Sequence, residues 1–372
     1  MSKNIQLLLI SHSFIKKINT KVYTKFSEKF NIKTTLVSPE YILRKKKKIK
    51  PDFEKKFQNV ELIYKKTIFK HLRIKIYLGL LKEFKRRSIT HIVLDLDLLS
   101  VQSFILLFFS IFYNFKILYY SNENNIIYEK NIFIKKLKIS LYKILNIFFS
   151  NKIHKILCYT EQIKNNMDIC GFKNKTEIIP LGFDTETFFR TNNNQEKFII
   201  SYFGRISKLK GIHTLLKSLS QINIKNWALY LDLYEIDDLK YYKMLKPYLK
   251  KLYKENKLKI IKPDHNNIHH FMKVTNLTVV PSEWNEQYGR VIQEAIACGS
   301  IVIGSNIGSI PELIRNNEFL FKPGSVLEIK NLIEKIYYNY SSYRKKFDAI
   351  EKFNNLNRSN KTQAEKLFKS LF

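Results

Sequence analysis

Short apolar runs alternate with longer amphipathic stretches along this chain. Runs of this length indicate buried strands, and the amphipathic stretches indicate helices that cover them. A first series of apolar runs occupies 5–11, 34–39, 91–96, 115–121 and 154–160, and a second occupies 197–205, 227–233, 258–263, 277–282 and 301–305. Two successive series of alternating strands and helices predict an α/β chain with two parallel-sheet domains.

The break between the two series predicts the domain boundary. It lies near IPLGFDTETFF (179–189) and the polar stretch 191–197. We therefore expect an N-terminal Rossmann-like domain over 1–183 and a C-terminal one over 184–355. The remaining segment, 356–372, contains an amphipathic helix that we expect to pack back on the N-terminal domain. A length of 372 residues suits two such domains.

Charge is the most unusual feature of the composition. The formal net charge is +33, which attracts nucleic acid, anionic lipid or phosphorylated substrates. General over-use of Lys, Asn and Ile is an alternative explanation, but it does not account for clustering. Residues 41–90 hold 17 Lys or Arg and 4 Asp or Glu, including the runs 44–48 and 85–87. The stretch 130–149 mixes Lys with Phe, Leu and Ile, as expected either of a face on an anionic membrane or of a core helix with a solvated basic side.

The remaining composition bears on location. The three cysteines fit no metal-ligand spacing and imply no disulfide framework. Their number and spacing therefore favour a reducing cytosol. The first strand is entered directly, without a signal-peptide pattern. The apolar run 104–113 is too short to span a bilayer, so we expect a buried helix there, with a membrane segment as the alternative. The sequence thus predicts a cytoplasmic protein that can associate peripherally with the inner face of the cell membrane.

Glycines concentrate in the second half of the chain. Seven of the ten lie between 204 and 324. A chain poor in glycine keeps it where a positive φ or a close backbone approach is needed. The second half is therefore the expected ligand-binding half.

A basic loop follows the first strand of the second series. The strand ends at Phe203, and Gly204, Arg205, Lys210 and Gly211 follow. Ligands bind beyond the carboxyl ends of parallel strands, and Arg and Lys are suited to phosphate groups. Two fixed cations can stabilise a departing diphosphate, although in isolation Arg205 and Lys210 would be interpreted as solvated surface residues.

Two carboxylates follow a later strand. Glu286 precedes a helix predicted to open at Tyr288 or Gly289 and to close at Gly299, and Glu294 is expected about two turns inside it. A carboxylate accepts two hydrogen bonds from a vicinal diol, so each glutamate suits one sugar ring. A helix cap and a surface acid are the alternative for an isolated pair.

These segments together resemble the retaining glycosyltransferases of family 4, which have the GT-B fold. The resemblance is carried by G-R-x4-K-G at 204–211, by PS-x3-E-x-[FY]-G-x4-EA-x3-G at 281–299, by the Pro-Glu at 311–312 and by GFDTETF at 182–188. It is specific over 179–324 and weak before that. It implies two Rossmann-like domains facing a central cleft, with a nucleotide-sugar donor bound to the C-terminal one.

The resemblance also implies roles for individual residues. Arg205 and Lys210 would contact the donor's diphosphate and replace a metal, so no cofactor is expected. Glu286 would hold the donor sugar and Glu294 the ribose. The rest of the predicted donor site comprises Gly204, Gln287, Tyr288, Gly289 and Val291.

The N-terminal half departs from the family pattern. The first loop reads Ser11-His12-Ser13, where family members often carry a glycine pair. SNENN at 121–125 replaces a frequent histidine, which leaves Glu123 as the candidate catalytic group there and His12 as the other. Asp95-Leu96-Asp97 matches the metal-binding D-x-D of GT-A glycosyltransferases, but two Rossmann-like halves favour its interpretation as a strand end.

The predicted activity is sugar transfer, with retained anomeric configuration, from a nucleotide sugar to a glycan or lipid-linked acceptor. The setting would be surface polysaccharide, lipopolysaccharide or glycolipid biosynthesis. Two alternatives remain open: a GT-B sugar-nucleotide epimerase, and a basic nucleic-acid-binding protein on a degenerate fold. No zinc knuckle, RNP-like or helix-turn-helix signature supports the latter, so no nucleic-acid partner is expected.

Overall fold

A computed structural model describes residues 5–44, 47–51, 56–57, 59–69, 75–191, 195–233, 235–264 and 267–372. It divides the chain into two compact units, one formed by 1–182 with 360–372 and the other by 183–359. Parts of two sequence features lie outside the described residues: Lys45 and Lys46 of the basic run, and 192–194 of the polar stretch.

The first unit is built on a parallel sheet with one antiparallel edge. Its strands within the described residues stand in the order β12-β11-β10-β9-β1-β2-β6-β5. They are β1 (Gln6–Ser11), β2 (Lys33–Pro39), β5 (Lys56–Phe57), β6 (Val60–Lys65), β9 (His91–Asp95), β10 (Lys116–Ser121), β11 (Ile153–Cys158) and β12 (Thr176–Ile178). Two short hairpins flank it, β3 (Ile42–Arg44) with β4 (Lys47–Ile49) and β7 (Thr67–Ile68) with β8 (Ile76–Tyr77).

Helices cover both faces of this sheet because the chain changes direction across it. The helix α1 (Lys21–Phe30) connects β1 to β2, whereas the chain from β6 through β9, β10 and β11 moves the other way. Right-handed crossovers therefore place α1 on one face and the later helices on the other. Those later helices are α2 (Leu80–Arg87), α3 (Val101–Phe112), α4 (Ile132–Phe149) and α5 (Glu161–Met167).

The last helix, α13 (Asn360–Ser370), belongs to the first unit and packs against α1. The rings of Phe30 and Phe368 stack with centroids 4.0 Å apart, and Lys29 pairs with Glu365. Phe183 N–H donates to Arg358 O at 3.1 Å, so the chain enters and leaves the second unit side by side. The second unit thus extends to Ser359, a few residues beyond the boundary at 355 expected from sequence.

The second unit contains a fully parallel sheet. The described strands stand in the order β15-β14-β13-β16-β17-β18. They are β13 (Phe198–Tyr202), β14 (Trp227–Asp232), β15 (Leu258–Ile261), β16 (Leu277–Val280), β17 (Ile301–Ser305) and β18 (Leu320–Phe321). The helices are α6 (Ile212–Leu219), α7 (Leu239–Lys254), α8 (Ile268–Lys273), α9 (Arg290–Ala297), α10 (Ile310–Ile314), α11 (Val326–Tyr338) and α12 (Tyr340–Asn357).

Each sheet has one point where neighbouring strands send their connections in opposite directions. In the first unit it lies between β1 and β9, and in the second between β13 and β16. The loops that leave such a pair diverge and open a crevice at the carboxyl ends of the strands, where ligands of open α/β sheets bind. The candidate chemistry of each unit lies at its own switch point.

The expectation of a buried helix over 104–113 is wrong. α3 occupies this segment, but Phe104, Phe108, Ile111 and Phe112 are exposed to solvent, and Phe112 is 69% exposed. Hydropathy reported the apolar content of the helix but not which side faces the sheet. In the part of the chain that the structure describes, no helix has both the length and the apolarity needed to cross a bilayer.

Candidate active site

The loop after β13 forms one wall of the crevice in the second unit. Gly204 N–H donates to Asp232 Oδ2 at 3.2 Å, and Tyr202 Oη donates to Arg205 O at 2.7 Å. The backbone on both sides of Arg205 is therefore fixed. Its guanidinium is partly exposed and pairs with Asp237 Oδ2 at 3.0 Å. Arg205 thus presents a cation at the crevice on a rigid base.

A close backbone approach joins this loop to the loop after β16. Gly211 has a φ of +65°, and a Cβ on it would lie 1.8 Å from Pro281 O. Only glycine permits that contact. Glu283 N–H also donates to Leu209 O at 2.8 Å. The two switch-point loops are consequently locked together.

That junction brings Lys210 and Glu286 into contact. The Lys210 ammonium pairs with Glu286 Oε1, and Ser282 Oγ donates to the same oxygen at 2.7 Å. Glu286 is 7% exposed, and the Lys210 side chain is 23% exposed. A buried carboxylate with two donors on one oxygen keeps its other oxygen available for a ligand hydroxyl.

The loop after β17 contacts the backbone of Glu286. Gly308 has a φ of +62°, and a Cβ there would lie 2.5 Å from Glu286 N. Ser309 N–H donates to Glu286 O at 3.1 Å. The sequence interpretation did not include Gly308 or Ser282 in the site. The glycine-rich turn before Pro311-Glu312 was the available signal for Gly308.

The predicted helix over 288–299 is confirmed as α9, which begins at Arg290 after Gly289 and ends at Ala297. Tyr288 is buried, and its hydroxyl donates to Gln293 Oε1 at 2.9 Å. The Tyr288 side chain therefore packs in the core. The backbone of 287–289 is the part of this segment that can face a ligand. Gln287 is exposed.

Glu294 lies nearer the start of α9 than expected. It is the fifth residue of the helix, about one turn from the N-terminus and not two. Its side chain is 13% exposed, and Arg290 Nε lies 3.7 Å from Oε1. Burial raises the pKa of Glu294, and Arg290 partly opposes that shift. Val291 is half-buried and packs on a core cluster that includes Phe188 and Met272.

Another acid, Glu283, lies beside the Lys210–Glu286 pair. It was not singled out from the sequence. Thr214 Oγ1 donates to Glu283 Oε1 at 2.5 Å, and His213 Nε2 lies 3.4 Å from the same oxygen. Burial lowers the pKa of His213, which Glu283 partly opposes. These contacts fix the β16 loop through which Ser282 reaches Glu286.

The switch point of the first unit gathers hydroxyl groups around Asp95. Ser11 Oγ donates to Asp95 Oδ2 at 2.7 Å, Ser13 Oγ to the same oxygen at 3.4 Å, and Tyr159 Oη to Oδ1 at 3.2 Å. His12 lies beside them. Burial lowers the pKa of His12 against the raising effect of Asp95, so its imidazole is neutral near pH 7.

The carboxylates of the D-x-D motif in the first unit accept hydrogen bonds from nearby loop residues. Asp95 receives the hydroxyls, and Asp97 Oδ1 accepts from Leu99 N–H at 3.0 Å. Among the described residues, no group of three or more His, Cys, Asp or Glu side chains could hold a metal ion. The structure thus places Asp95 at the end of β9, as the strand-end interpretation of this motif expected.

Glu123 lies in the first unit, on the loop after β10. Its Oε2 accepts from Tyr142 Oη at 3.4 Å and lies 3.5 Å from Lys138 Nζ. Asn125 N–H donates to its Oε1 at 3.3 Å. These contacts tie the loop to α4. The assignment of Glu123 as a catalytic group stays a prediction.

Residues 183–352 match a family model described as Glycosyl transferases group 1. We call these residues, which all lie in the second unit, the group 1 segment. The group 1 segment contains all of the candidate residues from Gly204 to Glu294, together with Gly308. Glu123, His12 and Asp95 lie outside it.

Curated relatives match this chain over short lengths. An uncharacterized glycosyltransferase of Methanocaldococcus jannaschii is 27% identical over 160 residues, which is 43% of this chain and 42% of that one. A serotype-specific mannosyltransferase of Escherichia coli, WbdA, is 38% identical over 68 residues, which is 18% of this chain and 8% of that one. The matches therefore span less than half of either relative.

Solved structures resemble nearly the whole chain. Sucrose-phosphate synthase from Thermosynechococcus elongatus superposes with a TM-score of 0.74 at 15% identity, covering 98% of both chains. Anabaena HepE, solved with UDP-glucose, gives 0.71 at 16% identity and 99% coverage of both chains. At this identity the likeness concerns the fold, and the two parallel-sheet units are those of the GT-B fold.

Proposed function

We propose that this protein is a glycosyltransferase that moves a sugar from a nucleotide-sugar donor, bound by the second unit, to a glycan or lipid-linked acceptor. The observation that carries the proposal is the Lys210–Glu286 pair at the switch point between β13 and β16. The match of residues 183–352 to the group 1 family model supports it, as does the complex of the related-fold HepE with UDP-glucose.

We propose the following positions for the parts of the donor in the crevice. Glu286 accepts hydrogen bonds from the sugar hydroxyls through the oxygen that Lys210 and Ser282 leave available. Lys210 and Arg205 stabilise the negative charge that develops on the leaving diphosphate. Glu294, on the first turns of α9, holds the ribose diol. The backbone of Gln287, Tyr288 and Gly289 lies between the two glutamates and donates to the phosphates.

We propose that transfer retains the anomeric configuration and needs no metal. Two cations on the β13 loop supply the charge that a divalent ion would otherwise bring. Loss of one such preorganised group costs about 3 kcal/mol of transition-state stabilisation. Transfer assays in the presence of excess EDTA test the metal independence, and an anomer-resolved NMR spectrum of the product tests retention.

The first unit is the proposed acceptor side. Its switch point offers Asp95, which can accept from an acceptor hydroxyl, and the neutral imidazole of His12 beside it. The names of WbdA and of the related-fold WaaB, a lipopolysaccharide outer core galactosyltransferase, support an acceptor in surface polysaccharide or lipopolysaccharide synthesis. We propose that the protein works in the cytoplasm at the inner face of the membrane.

The test is a transfer assay with purified full-length protein, candidate nucleotide sugars and lipid-linked or free glycan acceptors. Transfer by the unaltered chain and its loss in Glu286→Ala support the proposal. Conversion of the donor's sugar without an acceptor would instead indicate an epimerase. Equal transfer by Glu286→Ala and the unaltered chain would overturn the assignment of that residue.

A further inference from the structure

The helix α3 exposes only apolar residues, although several of its polar residues are buried. Gln102, Ser103 and Ser110 are buried together with Leu106 and Leu107. The exposed positions recur at helical spacing and are all apolar: Val101, Phe104, Phe108, Ile111 and Phe112. A helix in contact with water has the opposite arrangement.

Hydrogen bonds fix this orientation. Gln102 Oε1 accepts from Tyr77 N–H at 2.8 Å, and Ser103 Oγ donates to Asp97 O at 2.9 Å. Rotating the helix to bury its phenylalanines would break both bonds and leave buried polar groups unpaired. The apolar stripe is therefore a stable property of the surface.

The next helix, α4, adds a second apolar surface. Of its 18 residues only Tyr142 and Leu145 are buried. Phe133 and Phe148 are 75% and 76% exposed, and Leu137, Leu141, Ile144 and Ile147 are exposed with them. Helix propensity alone does not hold such a surface in water, and an exposed apolar area of this extent marks an interaction site.

Both helices lie on the same side of the sheet. α3 connects β9 to β10, and α4 connects β10 to β11, with the three strands parallel and adjacent in that order. Two right-handed crossovers in one direction place their helices on one face. We call these exposed residues of α3 and α4 the apolar face.

The charges around the apolar face are all positive within the two helices. α3 contains no charged residue, and α4 contains Lys135, Lys136, Lys138 and Lys143 but no Asp or Glu. Lys136 and Lys143 are exposed beside the apolar side chains. A second copy of this chain would bring lysines against lysines, whereas anionic lipid headgroups would neutralise them.

We propose that the apolar face docks the protein on a bilayer that contains anionic lipid. The phenylalanine and isoleucine side chains enter the boundary between headgroups and acyl chains, and the lysines extend to the lipid phosphates. The helices lie on the membrane and do not cross it. This inference rests on exposure and charge and is independent of the donor site, so its failure would leave the proposed transfer reaction standing.

Vesicle co-sedimentation of the full chain tests the apolar contribution. The variant carries Phe104→Ser, Phe108→Ser and Phe112→Ser, all at exposed positions. Binding to vesicles of phosphatidylcholine and phosphatidylglycerol should fall by about tenfold or more. The matched control carries Leu239→Ser, Met244→Ser and Tyr253→Ser on the lysine-rich helix α7, where these residues are 69%, 70% and 71% exposed. Binding by the control should be unchanged; equal loss in both would overturn the proposal.

A charge-reversal pair tests the electrostatic contribution. Lys136→Glu with Lys143→Glu should abolish the preference for vesicles that contain phosphatidylglycerol over phosphatidylcholine alone. Lys246→Glu with Lys250→Glu, also exposed but on α7, removes the same charge from the second unit. If the α7 pair reduces binding as much as the α4 pair, net charge drives binding and the proposed face is wrong.

A fluorescence measurement covers variants that fold poorly. In Phe108→Trp the new indole should shift to the blue and become quenched by brominated lipid when vesicles are added. No shift, with the unaltered chain also absent from the vesicle pellet, would contradict docking. A dimer in sedimentation equilibrium that the triple phenylalanine variant dissociates, without vesicle binding, would assign the apolar face to a second copy and overturn the lipid proposal.

Discussion

The two switch points of this protein use different chemistry in the same topological position. In the second unit the half-buried Lys210 pairs with the buried Glu286, and glycines at 211 and 308 allow the close backbone contacts around this pair. In the first unit the carboxylate of Asp95 is held by serine and tyrosine hydroxyls, with a neutral histidine beside it. A site with a cation suits an anionic leaving group, and a site of hydroxyls and a carboxylate suits a neutral sugar hydroxyl.

The largest expected effect is the loss of donor chemistry in Glu286→Ala. The change removes the acceptor for the sugar hydroxyls and leaves the Lys210 ammonium without its carboxylate. We expect kcat/KM to fall by at least about a hundredfold. Glu318→Gln breaks a comparable pair with Lys346 (2.7 Å) on the surface of the same unit and should leave kcat/KM unchanged. Similar losses in both would mean that the crevice pair has no special role.

Gly211→Ala should break the junction between the two loops of the second unit. The added methyl group would overlap Pro281 O, so the two loops must move apart. We expect the free energy of unfolding to fall by several kcal/mol, or the donor site to be lost. Gly79→Ala in the first unit is the matched control, because its φ is +75° but its nearest outside atom is Lys65 Nζ at 3.8 Å. That change should cost only about 1 kcal/mol, from backbone strain. Chemical denaturation of both variants gives the comparison, and equal losses would contradict the role given to Gly211.

Lys210→Ala should reduce kcat more than it raises the donor KM. In the proposed mechanism the ammonium stabilises charge that appears on the diphosphate as the sugar leaves, so its loss should cost about 3 kcal/mol. The exposed Lys346→Ala is the control. A rise in KM with an unchanged kcat would show that Lys210 only binds the ground state.

Asp95→Asn should distinguish the proposed role of the first switch point from that of the second. We expect the acceptor KM to rise roughly tenfold, because a half-buried carboxylate that accepts hydrogen bonds is replaced by an amide. The increase in Tm that the donor causes should stay unchanged. Glu286→Gln should show the opposite pattern. If Asp95→Asn abolished the thermal response to the donor, the division of labour between the units would be wrong.

The smallest effect concerns the pH dependence of donor binding. In the proposed donor complex Glu294 accepts from the ribose as a carboxylate. Burial raises the pKa of Glu294, so protonation begins at a higher pH than for an ordinary glutamate. The donor KM should therefore rise as the pH falls through that raised pKa. Glu294→Gln should remove this dependence. A KM profile that keeps its slope in Glu294→Gln would assign the titration to another group.

The sequence predicted the residues of the proposed donor crevice better than those of the proposed acceptor side. The distance along the chain between contacting residues does not explain this difference. Lys210 and Glu286 are 76 residues apart, and Ser11 and Asp95 are 84 apart. The donor residues are charged, follow strands and stand among scarce glycines, so their types and spacing indicate a site. Serines and a tyrosine carry no such signal, and Asp95 fell within a motif that resembles a metal site.

Helix faces were the weakest part of the sequence prediction. The alternation of apolar runs predicted both sheets, and α9 lies where its flanking glycines indicated. Apolar content alone placed α3 in the core, because it cannot show that hydrogen bonds from Gln102 and Ser103 hold the polar side inward. Glu294 was placed a turn too deep because the start of the helix had to be inferred from the loop before it.

The central claim, that the second unit binds a nucleotide sugar through Glu286, is tested most directly by thermal unfolding with UDP, GDP, ADP and their sugars. The account predicts that one nucleotide sugar raises the Tm of the unaltered chain and of Glu318→Gln, and that Glu286→Ala loses the part of the shift due to the sugar while keeping the response to the free nucleotide. The same shift in Glu286→Ala as in the unaltered chain would contradict the claim.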